Sequence, residues 1–313
     1  MPLALKERDQ MSQNMSVSIA GVTLKNPVMV ASGTFGSGIE FSRFLDLSRL
    51  GAVVTKGVAI TPWEGNATPR ICETPSGMLN AIGLQNPGVE TFVKRDLSFL
   101  EQFDTKVIVN VCGHSAEEYV DCVRRLADEK RADLLEINIS CPNVREGGIA
   151  FGTDPKGVER ITKEIRKAAV QPVIMKLSPN VTDITEIAAA AEAGGADALS
   201  MINTLTGMKI DVRRRTFALA NRTGGLSGPA IHPVAVRMVW QCAQRVKIPI
   251  IGMGGIASAE DALEMLMAGA SAVSVGTANF HDQTTVLQVI DGISAYLDEN
   301  GIGDVRELIG CVR

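Results

Sequence analysis

The chain has 313 residues, 45% of them hydrophobic, a mean hydropathy of +0.13, and a formal charge of −4 from 31 basic and 35 acidic residues. That composition supports a large core, either two ordinary domains or one α/β barrel. It gives no basic excess and only two Tyr and two Trp for base stacking, which argues against a nucleic-acid binder, and no apolar run approaches the ~18 residues of a membrane span.

Residues 1–14 are polar and lack the apolar core of a signal peptide. They are expected to form a disordered extension before a single domain over residues 15–313, in a cytoplasmic protein. Ser16–Ile19 and Val22–Leu24 flank Ala20-Gly21 and read as a hairpin placed to plug a barrel's bottom. Eight short apolar runs follow: Val28–Ala31, Ala52–Lys56, Val107–Val111, Leu134–Ile139, Val173–Leu177, Ala198–Ile202, Pro249–Gly252 and Ala272–Gly276. Their near-continuous hydrophobicity is that of strands covered on both faces.

Helix signals fall between them. Ser115-Ala116-Glu117-Glu118 is a capping box before Tyr119–Lys130. Asp154-Pro155 opens a further helix, and the Ala-rich Asp183–Glu192 stops at Gly194-Gly195. Ser258 to Asp261 caps Ala262–Ala268. Eight β-then-α units with no shift in composition predict a (β/α)8 TIM barrel rather than a doubly wound sheet. Residues 203–228 are a long insertion after strand six, holding Arg213-Arg214-Arg215, read as a solvated surface, and then Gly224-Gly225-Leu226-Ser227-Gly228. The six cysteines, at positions 72, 112, 122, 141, 242 and 311, include no C-x-x-C pair. No metal site and no structural disulfide are expected.

Barrel active sites lie at the C-terminal strand ends. Polar residues gather at those ends here: Ser32, Lys56-Gly57, Asn110, Asn138 with Cys141, Lys176, Asn203-Thr204, Gly254-Gly255 and Gly276-Thr277. The glycines after strands seven and eight suit a phosphate, because their backbone N–H groups are accessible. Lys56 and Lys176 follow apolar residues, so each is expected to meet an anionic ligand group. Asn80, Asn138, Asn143 and Asn203 offer donors and acceptors that suit a planar heterocycle. Cys141 stands at the end of strand four, beside the mobile-looking loop from Val144 to Gly148. On its own it reads equally as a core thiol or as a catalytic one. A barrel aldolase using Lys176 as a Schiff base, and a phosphate-ligand barrel without catalysis, remain open at this level.

Three motifs narrow the choice. Asn138-Ile139-Ser140-Cys141-Pro142-Asn143, Asn80-Ala81-Ile82-Gly83-Leu84-Gln85-Asn86-Pro87-Gly88 and Ala31-Ser32-Gly33-Thr34-Phe35-Gly36 together resemble the class 1 dihydroorotate dehydrogenases. The stretch from Gly65 to Asn80 looks most like the class 1B, NAD-linked catalytic subunit. The resemblance implies FMN in the barrel mouth and oxidation of dihydroorotate to orotate, a step of pyrimidine synthesis. It makes Cys141 the base that takes the C5 proton while hydride leaves C6 for the flavin. It places Lys56, Asn80, Ala81, Ile82, Gly83, Leu84, Asn138, Asn143, Asn203 and Thr204 at the pyrimidine. Ser32, Lys56, Gly57, Asn110, Asn138, Lys176, Ile202, Gly228, Gly254, Gly255, Gly276 and Thr277 fall at the flavin, with the last four at its phosphate. Lys176 is expected to stabilise negative charge on the reduced ring.

The resemblance also implies a second subunit carrying FAD and a [2Fe–2S] cluster, in a heterotetramer built on a homodimer of this chain. Consistently, the sequence has no cluster-type cysteine spacing and no G-x-G-x-x-G. NAD would then bind another chain. The alternatives within the resemblance are a class 1A-type enzyme using fumarate and a flavin enzyme acting on a related dihydropyrimidine.

Overall fold

The computed structural model describes residues 13–139, 145–146 and 149–312. Its centre is a closed barrel of eight parallel strands: β1 Val28–Val30, β2 Ala52–Val54, β3 Lys106–Val111, β4 Leu134–Asn138, β5 Val173–Lys176, β6 Ala198–Met201, β7 Ile250–Met253 and β8 Ala272–Val275. Neighbours in sequence are neighbours in the barrel, and β8 closes on β1 through Val273↔Val28 and Val275↔Val30. β1, β2, β4, β5, β6, β7 and β8 are buried along their whole length. One face fills the barrel and the other lies under the helices, which is why the sequence runs are apolar without alternation.

Among the described residues, six regular helices pack outside: α1 Ala116–Leu126, α2 Pro155–Ala168, α3 Ile184–Ala193, α4 His232–Ala243, α5 Ala259–Met267 and α6 Thr285–Asn300. The apolar stripe of α1 is Tyr119, Cys122, Val123 and Leu126, spaced to put all four on one face. Asp154 and Asp183 each accept a hydrogen bond from a first-turn N–H, of Gly157 and Thr185 respectively. Ser258 and Asp261 form a full reciprocal capping box. The box expected at Ser115 is only half formed. Ser115 accepts from Glu118 N, but the Glu118 carboxylate accepts from His114 N, one residue further back.

The first two units depart from the regular pattern. Between β1 and β2 there are only two short 3-10 turns, Phe41–Arg43 and Leu47–Arg49. Glycines at 33, 36 and 38 occupy the stretch where a helix would start, and they disfavour one. The β2–β3 connection ends in the helical segment 89–100, whose middle, Phe92–Leu97, is π-helical. The hairpin Val17–Ile19/Val22–Leu24 turns through Ala20 and Gly21, both at positive φ, and leads into the N-terminal end of β1. Val17, Ile19 and Leu24 are buried in the same core as the barrel. Asn14 also belongs to the fold: it bonds Gly303 O through its N–H and Asp304 through its side chain, each at 2.9 Å.

The insertion after β6 is not a loop. Its strands Leu205–Met208 and Thr223–Ser227 pair with Gly77–Asn80 and Ile71–Thr74, from the β2–β3 connection, in one four-stranded antiparallel sheet. Leu79, Ala81 and Leu219 form a small core of their own there. A further hairpin, Ile210–Asp211/Thr216–Phe217, carries the exposed Arg213, Arg214 and Arg215 at its tip. That position agrees with a solvated arginine run. No described helix is long and apolar enough to cross a membrane.

Candidate active site

A cavity of about 450 Å3 opens at the C-terminal ends of the barrel strands, with the four-stranded sheet on its far side. That is an ordinary size for a cofactor or small-molecule site. Ser32, Lys56, Gly57, Asn110, Asn138, Lys176, Ile202, Gly228, Gly254, Gly255, Gly276 and Thr277 all line it, as do Asn80, Ala81, Ile82, Gly83, Leu84, Asn203 and Thr204. Cys141, Asn143 and the Gly147-Gly148 pair lie outside the described residues. Around that pair, Arg145–Glu146 runs antiparallel to Ile149–Ala150.

The glycine end of the cavity presents backbone donors. The N–H groups of Gly254, Gly255 and Gly276 make no hydrogen bond to other described residues. Gly255 has φ +71, and a Cβ there would stand 2.7 Å from His232 Cβ and 2.8 Å from Gly228 O. Only glycine fits that turn. The His232 ring braces it from behind, with Nδ1 2.8 Å from Gly254 O and Nε2 3.1 Å from a Glu264 carboxylate oxygen. Gly276 does not open the last helix directly, because the 3-10 turn Thr277–Phe280 comes before α6.

The two lysines differ. Lys176 is 5% exposed, yet it is not waiting for a ligand: its Nζ stands 3.4 Å from a Glu136 carboxylate oxygen and 3.3 Å from Ser32 Oγ. Glu136 thus already supplies a counter-charge, beside any that an anionic ligand would bring. Lys56 pairs with no carboxylate among the described residues. Burial holds its ammonium below the ordinary lysine pKa; nearby Cys112 opposes that shift, while Arg70 and Lys176 reinforce it. A group so placed gains most from an anionic ligand.

The amides are oriented by the fold. Asn138 accepts from Tyr119 OH at its backbone oxygen, at 2.7 Å, and from Asn203 Nδ2 at its side chain, at 3.4 Å. Asn203 Oδ1 accepts from Thr204 N at 2.8 Å. Asn80 Nδ2 donates to Gly225 O across the sheet at 3.4 Å. Asn110 Nδ2 donates to Glu136 at 2.6 Å, while its buried Oδ1 has no hydrogen-bond partner among the described residues. Its residue lines the cavity, and a small shift of the amide would let that acceptor meet a ligand N–H.

Several lining residues were not in the expected set: Asn66, Asn180, Thr206, Asn221, Thr223 and Ser227. Most belong to the four-stranded sheet or its connections, so only knowledge of that pairing would have found them. Asn180 bridges Ser178, Thr204 O and Thr206 N, which ties the β5 end to the sheet. Glu136 was missed although its signal was plain. It is the one charge inside the apolar run Leu134 to Ile137.

Fold and site thus define a (β/α)8 barrel with a cavity at its C-terminal mouth, lined by glycines after β7 and β8 and by a set of amides. Residues 14–297 match the family model described as dihydroorotate dehydrogenase. The chain is 67% identical over 300 residues to the "Dihydroorotate dehydrogenase B (NAD(+)), catalytic subunit" of Lachnoclostridium phytofermentans, covering 96% of this chain and 100% of that one. It is 60% identical to the protein of the same description from Alkaliphilus oremlandii, over 95% and 98% of the two chains. Against that of Geobacter sulfurreducens it is 56% identical, over 96% and 98%. The chain belongs to the dihydroorotate dehydrogenase family, and its relatives are of the NAD-linked class that its motifs resemble.

Proposed function

We propose that this chain is the catalytic subunit that oxidises dihydroorotate to orotate in de novo pyrimidine synthesis. The observation that carries the reading is convergence. Every described residue expected at flavin or pyrimidine, drawn from many separate stretches of sequence, lines one cavity. FMN fits the residues present: free N–H groups on Gly254, Gly255 and Gly276 for the phosphate, and the Lys176 cation and orphaned Asn110 oxygen for the ring. When bound, it supplies the acceptor for the hydride that leaves substrate C6.

The chain's own groups do the rest. Lys56 holds the substrate carboxylate. Asn80, Asn138, Asn143 and Asn203, with Thr204 and the Ala81 to Leu84 segment, bind the pyrimidine's alternating N–H and C=O groups. Cys141, as thiolate, takes the proton from C5, a carbon acidified by its neighbouring carbonyl. A thiol of ordinary pKa, ~8.5, is partly ionised at neutral pH, so it can do this without strong activation. Lys176 stabilises charge delivered to the ring. A partner subunit holding FAD and a [2Fe–2S] cluster would supply the electron path to NAD, in a cytoplasmic heterotetramer built on a homodimer of this chain.

The test is the visible spectrum of the purified protein before and after anaerobic dihydroorotate. A yellow protein bleached by dihydroorotate and not by dihydrouracil is expected. The single chain should then reduce artificial acceptors but not NAD. A colourless protein, or flavin indifferent to dihydroorotate, would refute the reaction. Efficient NAD reduction by the chain alone would refute the need for a partner.

A further inference from the structure

Beneath the cavity, inside the barrel, lies the carboxylate of Glu136, 1% exposed and absent from the cavity lining. One oxygen accepts from Asn110 Nδ2 at 2.6 Å and faces Lys176 Nζ at 3.4 Å. The other accepts from Ser200 Oγ at 2.7 Å. The register explains the convergence: Glu136 stands opposite Asn110 on β3 and Ile174 on β5, and Lys176 stands opposite Ser200 on β6. One side chain thereby ties β3, β5 and β6 together. A buried carboxylate is expensive, and an apolar residue would pack the barrel as well. A positional job accounts for it better than a stabilising one.

Two consequences follow from its chemistry. A carboxylate can only accept, so it commits Asn110 Nδ2 downward and turns Asn110 Oδ1 away from it. That oxygen is one of the buried side-chain atoms without a hydrogen-bond partner among the described residues. Glu136 also sets a full negative charge against Lys176, the buried cation that lines the cavity.

We propose that Glu136 is a positioning residue for the flavin: it presents the Asn110 amide oxygen to the ring and, as counter-charge to Lys176, limits how much more tightly the site holds reduced than oxidised flavin. This rests on the FMN reading above. Two-electron reduction by hydride leaves the ring anionic, and a lysine relieved of its carboxylate would favour that state more strongly.

The experiment is a spectroelectrochemical titration of the full chain loaded with FMN, comparing wild type with Glu136→Gln and Ser200→Ala. Glu136→Gln should raise the preference for reduced over oxidised flavin at least tenfold, an upward midpoint shift of about 30 mV for a two-electron couple. It should also weaken FMN uptake by the apoprotein, because the Asn110 amide is free to flip. Ser200→Ala removes a hydrogen bond but no charge, and should leave the preference within about twofold (an order-of-magnitude bound).

A Glu136→Gln midpoint that stays put or falls overturns the inference, and so does a Ser200→Ala shift of equal size. If Glu136→Gln does not fold, Glu136→Gln/Lys176→Met decides, since a pair removed together leaves no lone buried charge. Recovery of folded apoprotein supports the coupling; a double variant as defective as the single one overturns it. Failure of the wild-type chain to take up any FMN would instead defeat the functional reading itself.

Discussion

Gly255→Ala tests the anion cradle. The residue sits at φ +71, where an L side chain costs about 1–2 kcal/mol. The added Cβ would also meet a backbone oxygen, Gly228 O, at 2.8 Å and His232 Cβ at 2.7 Å. Neither neighbour yields easily. His232 is held between Gly254 O and Glu264, and Gly228 is itself at positive φ before the turn that opens α4. Such overpacking costs about 1–3 kcal/mol, so a total loss of about 2–5 kcal/mol in apoprotein stability is expected. Any relief must move the loop and pull its N–H donors off the phosphate. One lost charge-assisted bond, about 1.5–3 kcal/mol, weakens FMN roughly 10- to 100-fold. Urea unfolding of the apoprotein and fluorescence titration with FMN measure the two effects separately. An unchanged urea midpoint together with an unchanged Kd would refute both the steric argument and the placement of the phosphate.

Three more expectations follow from the site and core. Orotate affinity should fall as pH rises through the lowered Lys56 pKa, before the 10.5 of an ordinary lysine, because the neutral amine no longer pairs with the carboxylate. In Lys56→Met that alkaline fall should vanish and affinity should drop by about tenfold or more; spectral perturbation of the flavin by orotate reports both, and a persisting fall would remove Lys56 from the role. Cys141→Ala should retain flavin but lose turnover by about 10²–10⁴, and the wild-type rate should climb towards pH ~8.5; a flat rate from about pH 6 to pH 9 with chemistry limiting, or retained turnover, would exclude the thiolate base. Burial pushes the Cys122 and Cys242 thiols up to about 12, whereas Cys311 is exposed. Stability linked to those two thiols is complete below the unfolded thiol pKa of ~8.5 and is lost as pH rises towards 12. Thiol labelling at pH ~8, read by mass spectrometry, should therefore modify Cys311 and spare the other two until unfolding; equal rates in the native protein would contradict the packing.

The barrel was legible because its strands are buried on both faces, which leaves runs such as Val173–Lys176 with a signal that needs no partner to interpret. The caps at Asp154, Asp183 and Ser258 were equally local. The four-stranded sheet was not legible. Its strand Thr223–Ser227 reads TGGLS, with no apolar alternation, and the Asn80–Gly225 contact spans 145 residues of sequence. Only the tertiary pairing makes a strand of it. The site residues at strand ends were visible as polar breaks after apolar runs. Those on the sheet other than Asn80, such as Thr206 and Thr223, were hidden with the sheet, and Glu136 was hidden because it stands inside a strand rather than at its end.

The sheet also imposes an order on the chain's own making. Residues 71–80 emerge early from the ribosome, but their partners at 205–208 and 223–227 emerge only after six barrel strands. Until then the segment that carries Asn80 has an open edge, and the substrate side of the cavity has no cover. The glycine turns after β7 and β8 and the cover are thus both late products of synthesis. A nascent chain halted between strands six and seven would display Asn80, Asn138 and Asn203 yet lack Gly254, Gly255 and Gly276.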